Sequence, residues 1–212
     1  MSGDTDSDRL RAKWDRYAPR YDKDIGFFER VQFGDGRQWV CSQAVGDVLE
    51  VAVGTGRNLP FYPAGIHLTG LDFSPVMLAQ ARARAAEVGR EIDLLEGDAQ
   101  ALPFADASFD TVVCTLGLCG IPDERAAIDE MYRVLRPQGT LLLLDHVGSH
   151  RRLVYFGQWL AERVTVRMLG DYQTRRPLPV VERAGFVIRR RERLKAGTVE
   201  RLAATKPAGD DA

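Results

Sequence analysis

The sequence predicts an α/β fold, in which a mostly parallel sheet of seven strands carries helices on both faces and the last strand runs antiparallel. Short apolar runs alternate with helical stretches from residue 47 onward, a pattern typical of strands buried beneath helices on both sides. The run of four leucines at 141–144 suits a strand covered on both faces. The final two apolar runs lie too close in sequence for a parallel crossover, so we expect them to pair antiparallel.

The elements follow in chain order. Residues 1–8 are predicted to form a polar, disordered tail, and residues 9–46 an aromatic-rich lid of two helices, broken by Pro19 and by the Gly34–Gly36 loop. Residues 207–212 are predicted to form a second tail, which leaves one domain over 47–206. The predicted strands are Val48–Val53, His67–Leu71, Ile92–Leu95, Thr111–Leu116, Leu141–Leu144, Phe186–Leu194 and Val199–Thr205. The predicted helices are Pro75–Val88, Asp123–Leu135, Leu153–Leu169 and Pro177–Ala184.

Composition excludes several classes of protein. The chain has 212 residues, of which 45% are hydrophobic and 28% charged, so disorder and low complexity are excluded and one domain is expected. Three cysteines cannot all pair and form no zinc-ligand pattern, which predicts a reducing cytoplasm and no metal. The polar N-terminus does not resemble a signal peptide, and no apolar run approaches the roughly 18 residues of a spanning helix. We therefore expect a soluble cytoplasmic protein.

The net charge of −1 conceals an uneven distribution. Residues 149–195 contain eleven arginines and one lysine against four acids, a local charge of +8, and the remainder carries −9. The neutral total predicts no nucleic-acid partner. The basic segment leaves two interpretations open. Its arginines are solvated while its apolar residues pack on the sheet, or its predicted helix makes weak contact with an anionic membrane surface.

The most informative motif follows the first strand. There, an apolar run turns sharply at Gly54-Thr55-Gly56, and glycines allow a tight turn and close approach of the backbone to a ligand. Asp72 ends the next strand, where a carboxylate can accept hydrogen bonds from both ribose hydroxyls of a nucleotide. No third glycine or alanine follows in place and Pro60 shortens any helix, which disfavours a dinucleotide pyrophosphate. Glu50 would repel a pyrophosphate and attract a cationic cofactor.

Five motifs in order resemble class I S-adenosylmethionine-dependent methyltransferases, of the type that includes quinone, thiol and phosphatidylethanolamine methyltransferases. These motifs span residues 50–56, 70–77, 97–104, 108–110 and 133–139. The resemblance implies a Rossmann-like sheet and S-adenosyl-L-methionine as the cofactor. Two departures are Ala52, where the family often has glycine, and Gln138 before Gly139. Ala52 is small and is expected within a strand, so little loss of binding is expected.

The resemblance also assigns roles to individual residues. Asp72 would hold the ribose, Asp98 and Ala99 the adenine edge, and Phe73 and Met77 would pack on the adenosine. Cys114 and Thr115 would lie beneath the methionine part. Tyr17 and Tyr21 would close over the cofactor, or alternatively only pack the lid on the domain. The full predicted cofactor set is Tyr17, Tyr21, Glu50, Ala52, Gly54, Gly56, Asp72, Phe73, Met77, Asp98, Ala99, Cys114 and Thr115.

Transfer of a methyl group from a sulfonium is an in-line displacement that mainly requires alignment and exclusion of water. His146 and Asp145 end the fifth strand and are the predicted catalytic residues, with His146 able to take a proton near neutral pH. A hydrogen-bonded histidine at a strand end remains the alternative. The expected acceptor is small and rather apolar, with sulfur or nitrogen favoured over oxygen or carbon.

Three alternatives remain open from the sequence: a phospholipid-headgroup N-methyltransferase at the membrane surface, a protein of this fold that binds the cofactor without transferring a methyl group, and an NAD-dependent reductase. The oligomeric state is not predicted. The Gly-x-Gly turn and the basic segment are the two regions that should distinguish these alternatives.

Overall fold

The structure of the chain, a computed structural model, describes residues 6–209. Its centre is one seven-stranded sheet in the order β3-β2-β1-β4-β5-β7-β6. All pairs are parallel except those of β7, which runs antiparallel to both β5 and β6. The predicted fold class is therefore confirmed. The strands are β1 (Asp47–Val51), β2 (His67–Asp72), β3 (Asp93–Glu96), β4 (Phe109–Thr115), β5 (Leu135–His146), β6 (Val187–Leu194) and β7 (Val199–Thr205).

Helices cover both faces of the sheet and form two cores. The helices are α1 (Asp6–Gln32), α2 (Gly36–Cys41), α3 (Pro75–Val88), α4 (Glu124–Val134), α5 (Arg152–Leu169) and α6 (Leu178–Arg183). Helices α4 and α6 bury Met131 and Val181 against one face, and α2 and α3 bury Val40 and Ala85 against the other. Because alternate strand residues point to opposite faces, Leu49 joins the first core and Val48 the second.

Two predictions for the N-terminal segment are wrong. Helix α1 runs through Pro19 without a break, and only the turn at Gly34, with φ of +54°, separates it from α2. Proline removes one backbone hydrogen bond, but burial of Ala18 and the ion pairs of α1 described below outweigh that loss. The helix also begins at Asp6, inside the predicted tail, and Asp8 pairs with Arg11 one turn later. Residues 1–5 and 210–212 of the predicted tails lie outside the described residues, and 207–209 have no regular structure.

Helix α5 departs most from expectation. None of its residues is buried, so the interpretation in which its apolar side chains pack on the sheet is wrong. Within residues 6–209, no helix is both long and apolar enough to cross a bilayer. The apolar face of α5 thus lies on the surface without a partner from this part of the chain.

Candidate active site

The turn after β1 has the left-handed backbone that its glycines predict. Gly54 and Gly56 have φ of +55° and +76°. A Cβ at Gly56 would lie 3.2 Å from the Cα of Ala81 in α3, so only glycine permits this close packing. Ala52 also has a positive φ, +56°, and follows the end of β1. The expectation that it lies within a strand is wrong, and the family's preference for glycine there is explained by this strained backbone.

Asp72 links the first two strands at this turn. Its Oδ2 accepts the backbone N–H of Gly54 at 2.8 Å, and its Oδ1 accepts that of Ser74 at 2.9 Å. Burial raises the pKa of Asp72 to about 6, although these backbone hydrogen bonds act in the opposite direction. Ser74 in turn caps α3 by accepting the N–H of Met77 at 3.1 Å. One carboxylate therefore holds the glycine turn and the start of α3 in fixed positions.

A cavity opens at the carboxyl ends of β1, β2, β3 and β4, beneath α1. Its empty space, including the open mouth, is about 920 Å³. Nine of the thirteen predicted cofactor residues line it: Tyr21, Ala52, Gly54, Asp72, Phe73, Met77, Asp98, Ala99 and Thr115. The lining also includes the apolar residues Leu10 and Trp14 of α1 and Leu116, Ile121 and Pro122 after β4, together with Arg37 and Arg57.

The other four predicted residues, Tyr17, Glu50, Gly56 and Cys114, do not line the cavity. Glu50 is buried, and its carboxylate accepts hydrogen bonds from Asn58 at 2.8 Å and from the Tyr62 hydroxyl at 2.9 Å. Burial raises the pKa of Glu50 to about 7, against the opposing effect of those bonds. Glu50 thus orders the segment after the glycine turn and does not line the cavity. Cys114 is buried beside Gly117, and burial raises the pKa of its thiol.

Gly56 allows the glycine turn to pack closely against α3. Tyr17 packs edge-on against Trp14 and Tyr21, with ring centroids 6.0 and 5.9 Å apart. It therefore supports the aromatic wall from behind, whereas Tyr21 is part of the cavity lining. Of the two interpretations of these tyrosines, the structure gives packing to Tyr17 and a cavity contact to Tyr21.

A polar network around the buried Arg37, which no local sequence pattern predicts, reaches the cavity, and both Arg37 and Arg57 line it. Arg37 of α2 donates to Asn58 Oδ1 at 2.8 Å and to Thr115 Oγ1 at 2.9 Å, and it pairs with Glu29 of α1. Glu29 also accepts a hydrogen bond from Arg57 at 2.8 Å. A buried guanidinium requires such partners, and these connect the lid to the strand ends.

Three acids fasten α1 over the cavity. Asp15 bonds the Ser74 hydroxyl, Asp22 pairs with Arg57 and Arg84, and Glu29 completes the set. Residues seven apart lie on nearly the same face of a helix, so this spacing was the signal in the sequence that could have revealed the contact.

A second cluster lies at the carboxyl ends of β4 and β5. His146 Nε2 lies 3.1 Å from Asp171 Oδ1, and His146 Nδ1 is buried without a hydrogen-bond partner among the described residues. Burial alone would lower the pKa of His146, but Asp171 and Asp145 outweigh it and hold that pKa above its ordinary value. Asp171 was not predicted, because it follows α5 and is far from His146 in sequence.

Asp145, predicted to be catalytic, contacts backbone instead. Its two oxygens accept the N–H groups of Cys119 at 3.2 Å and His146 at 2.8 Å, and burial raises its pKa. These bonds hold the backbone at the end of β5 and in the loop after β4, and the catalytic role of Asp145 stays a prediction. Cys119, His146 and Asp171 bring their side-chain ligand atoms within 4.8 Å of one another. These residue types also occur in transition-metal sites, so the expectation of no metal stays a prediction.

The glycine turn, the acid at the end of β2 and the cavity between them define a nucleoside-cofactor site of the methyltransferase type. Residues 49–143 match the family model of a methyltransferase domain. A ubiquinone/menaquinone biosynthesis C-methyltransferase from Geotalea daltonii is 32% identical over 163 residues, which cover 70% of this chain and 67% of that protein. The chain belongs to the class I S-adenosylmethionine-dependent methyltransferases.

Other comparisons show how much of the chain is similar to known proteins. A phosphatidylethanolamine N-methyltransferase from Cereibacter sphaeroides is 43% identical over 108 residues, 50% of this chain and 53% of that protein. An S-adenosylmethionine-dependent methyltransferase from Thermotoga maritima shares the fold at a TM-score of 0.70 and 21% identity, covering 92% of this chain and 99% of its own. The chain spans only 43–53% of the length of the first curated relatives that it matches.

Proposed function

We propose that the chain transfers a methyl group from S-adenosylmethionine to a small, rather apolar acceptor at sulfur or nitrogen. The observation that carries the proposal is that one cavity is lined both by Gly54, Asp72 and Asp98 and by apolar side chains. The residues present fit the cofactor. Asp72 offers an ionisable carboxylate to ribose hydroxyls, Ala99 a backbone N–H to an adenine nitrogen, and Met77 an apolar surface to the ring.

The bound cofactor would supply an electrophilic methyl group on a sulfonium. The chain's part is alignment and exclusion of water, for which α1 is well placed because Leu10, Trp14 and Tyr21 wall the cavity from above. Besides Arg37 and Arg57, the lining includes the apolar residues Leu116, Ile121 and Pro122, which supports a rather apolar acceptor. A neutral thiol or amine needs at most one proton acceptor in such a site.

His146 supports the choice of a proton-bearing nucleophile. In the neutral imidazole, a proton on Nε2, which lies 3.1 Å from Asp171 Oδ1, would leave a lone pair on the unpartnered Nδ1. His146 does not line the cavity, so that nitrogen would accept a proton from S–H or N–H only of an acceptor that reaches the end of β5. We propose His146 as the general base and Asp171 as the residue that orients it.

Release of S-adenosylhomocysteine across a panel of acceptors tests the function. The panel contains apolar thiols, primary and secondary amines, phenols, quinols and phosphatidylethanolamine in vesicles. Turnover with a thiol or amine supports the proposal. Turnover only with a quinol would place the methyl group on carbon, as the name of the Geotalea relative describes, and would overturn the choice of atom. Binding of S-adenosylmethionine without release of S-adenosylhomocysteine for any acceptor in the panel would favour a protein that binds the cofactor but does not transfer a methyl group.

A further inference from the structure

The outer face of α5 carries an apolar stripe in solvent. Five side chains spaced by three or four residues, and therefore on one side of the helix, are 56–89% exposed: Leu153, Phe156, Leu160, Val164 and Met168. The inner side of the helix carries polar residues that bond to the body. Glu162 accepts both the N–H and the hydroxyl of Thr174 at 2.7 Å, and Gln158 bonds the backbone of Val147 at 3.0 Å. The stripe is thus fixed facing outward.

Arginines border this stripe and supply its charge. Arg152, Arg163 and Arg167 are exposed and form no ion pair among residues 6–209. The guanidinium of Arg163 lies 3.4 Å from the ring centroid of Trp159, which is itself partly exposed. The single acid of the helix, Glu162, belongs to the inner side. The outer face is therefore cationic as well as apolar.

A concavity at the start of α5 combines the same two properties. Arg152 and Arg176 lie at its sides, and the rings of Tyr155, Phe156 and Trp159 form its walls. Arginine presents several N–H donors in a planar fork that suits phosphate oxygens, while the rings offer an apolar surface to a chain attached to that phosphate.

We propose that the outer face of α5 binds the surface of a bilayer that contains anionic phospholipid. Such a surface offers phosphate to the arginines and hydrocarbon to the stripe, the combination that holds amphipathic helices in the interface. A second copy of the chain fits poorly, because pairing two α5 faces would bring cationic borders together. Binding at this face does not depend on methyl transfer.

The position of α5 relates this surface to the cavity. The helix begins six residues after the end of β5, at the edge of the sheet where the cavity opens. Its C-terminal end contacts α1, where Lys13 donates to the Arg167 carbonyl at 2.9 Å and Leu10 packs on Gly170. Leu10 also lines the cavity. A bilayer seated on α5 would therefore adjoin the lid.

Vesicle flotation with the full chain tests this proposal. We expect the chain to float with vesicles of phosphatidylcholine and phosphatidylglycerol at low salt, and to float much less with pure phosphatidylcholine or at high salt. Leu153→Glu and Leu160→Glu should abolish flotation. Arg152→Gln and Arg163→Gln should each weaken vesicle affinity about fivefold, the effect of one basic residue near an anionic surface.

Matched controls lie on other faces. Val45→Glu changes an apolar residue that is 61% exposed before β1, and Arg82→Gln changes an exposed arginine on α3; neither should alter flotation. Absence of flotation by the wild type, or equal loss in the controls, would overturn the proposal. A wild-type dimer in light scattering that Leu153→Glu converts to a monomer, without vesicle binding, would assign the face to a second copy instead. Calorimetric binding of S-adenosylmethionine by each variant keeps this outcome separate from failure of the proposed function.

Discussion

The Asp72 carboxylate bonds two backbone N–H groups and also faces the cavity, so its ionisation should govern cofactor affinity. Its pKa of about 6 lies above the ordinary value because burial favours the neutral acid. Ribose hydroxyls donate to the ionised form, and affinity for S-adenosylmethionine should therefore fall about tenfold between pH 7 and pH 5. Asp72→Asn should weaken binding at pH 7 by about 1–3 kcal/mol and remove this dependence.

Calorimetric titration at several pH values measures both effects of Asp72. The exposed Asp93, at the start of β3, provides the control Asp93→Asn. The same raised pKa bears on the stability of the ligand-free chain. A carboxyl whose pKa is raised on folding stabilises below its unfolded pKa of about 3.9, and that contribution is lost as pH rises through about 6. Wild-type affinity that does not change between pH 7 and pH 5 would show that the ribose is held elsewhere.

Substitution of His146 should lower the rate of methyl transfer without weakening cofactor binding. His146→Gln should lower turnover of an identified acceptor about 100-fold, the lower end for a general base, while S-adenosylmethionine affinity stays unchanged because His146 does not line the cavity. Wild-type turnover should rise with pH through a pKa above 6.5 as the imidazolium loses its proton. Asp171→Asn should move that rise to lower pH.

Steady-state rates from pH 5.5 to 9 measure this behaviour. His67→Gln is the control, since His67 is 90% exposed at the opposite end of the sheet. Full turnover by His146→Gln, or an unchanged pH profile in Asp171→Asn, would leave His146 as a hydrogen-bonded residue at a strand end.

At the scale of elements, the position of α1 over the cavity should depend on the ion pairs that its acidic residues form. Glu29→Gln leaves the buried Arg37 without its carboxylate partner, and we expect the free energy of unfolding to fall by about 1.5–3 kcal/mol, the contribution of a hydrogen bond to a charged group. Hydrogen exchange within 6–32 should quicken and S-adenosylmethionine should bind more weakly. Glu87→Gln on exposed α3 surface is the control. Unchanged exchange in α1 would mean that aromatic packing, not the ion pairs, holds the lid.

Helices and strands were predicted correctly where the local sequence pattern agrees with the tertiary packing. The cap at Ser74 with Pro75 located the start of α3, and the leucine run located β5, although β5 begins earlier, at Leu135. Prediction failed where contacts between residues far apart in sequence determine the structure. Pro19 lies inside a helix because residues of other elements hold α1, and α5 lies outside the core because its inner side is polar. The partners of Arg37 and His146 come from segments far apart in sequence, and no local pattern reveals them.

At the scale of the whole molecule, the cavity joins elements that are far apart in the chain. Its walls come from α1 and from the ends of β1 through β4, so a bound ligand connects the lid to four strands. Binding to the folded state alone adds about 2.7 kcal/mol of stability at a ligand concentration of 100 times Kd. For a chain of this size, S-adenosylmethionine should therefore raise the Tm by about 5–10 °C.

NADH should produce no such shift at the same concentration. The segment after Gly56 is a single 3-10 turn at Leu59–Phe61 rather than a long helix, so no helix N-terminus lies over the position that a pyrophosphate would occupy. Glu50, one residue before the end of β1, adds negative charge close to that turn as pH rises through about 7. Differential scanning fluorimetry with both ligands makes the comparison. A shift with NADH equal to that with S-adenosylmethionine would indicate a dinucleotide site, and it would contradict the role assigned to the glycine turn.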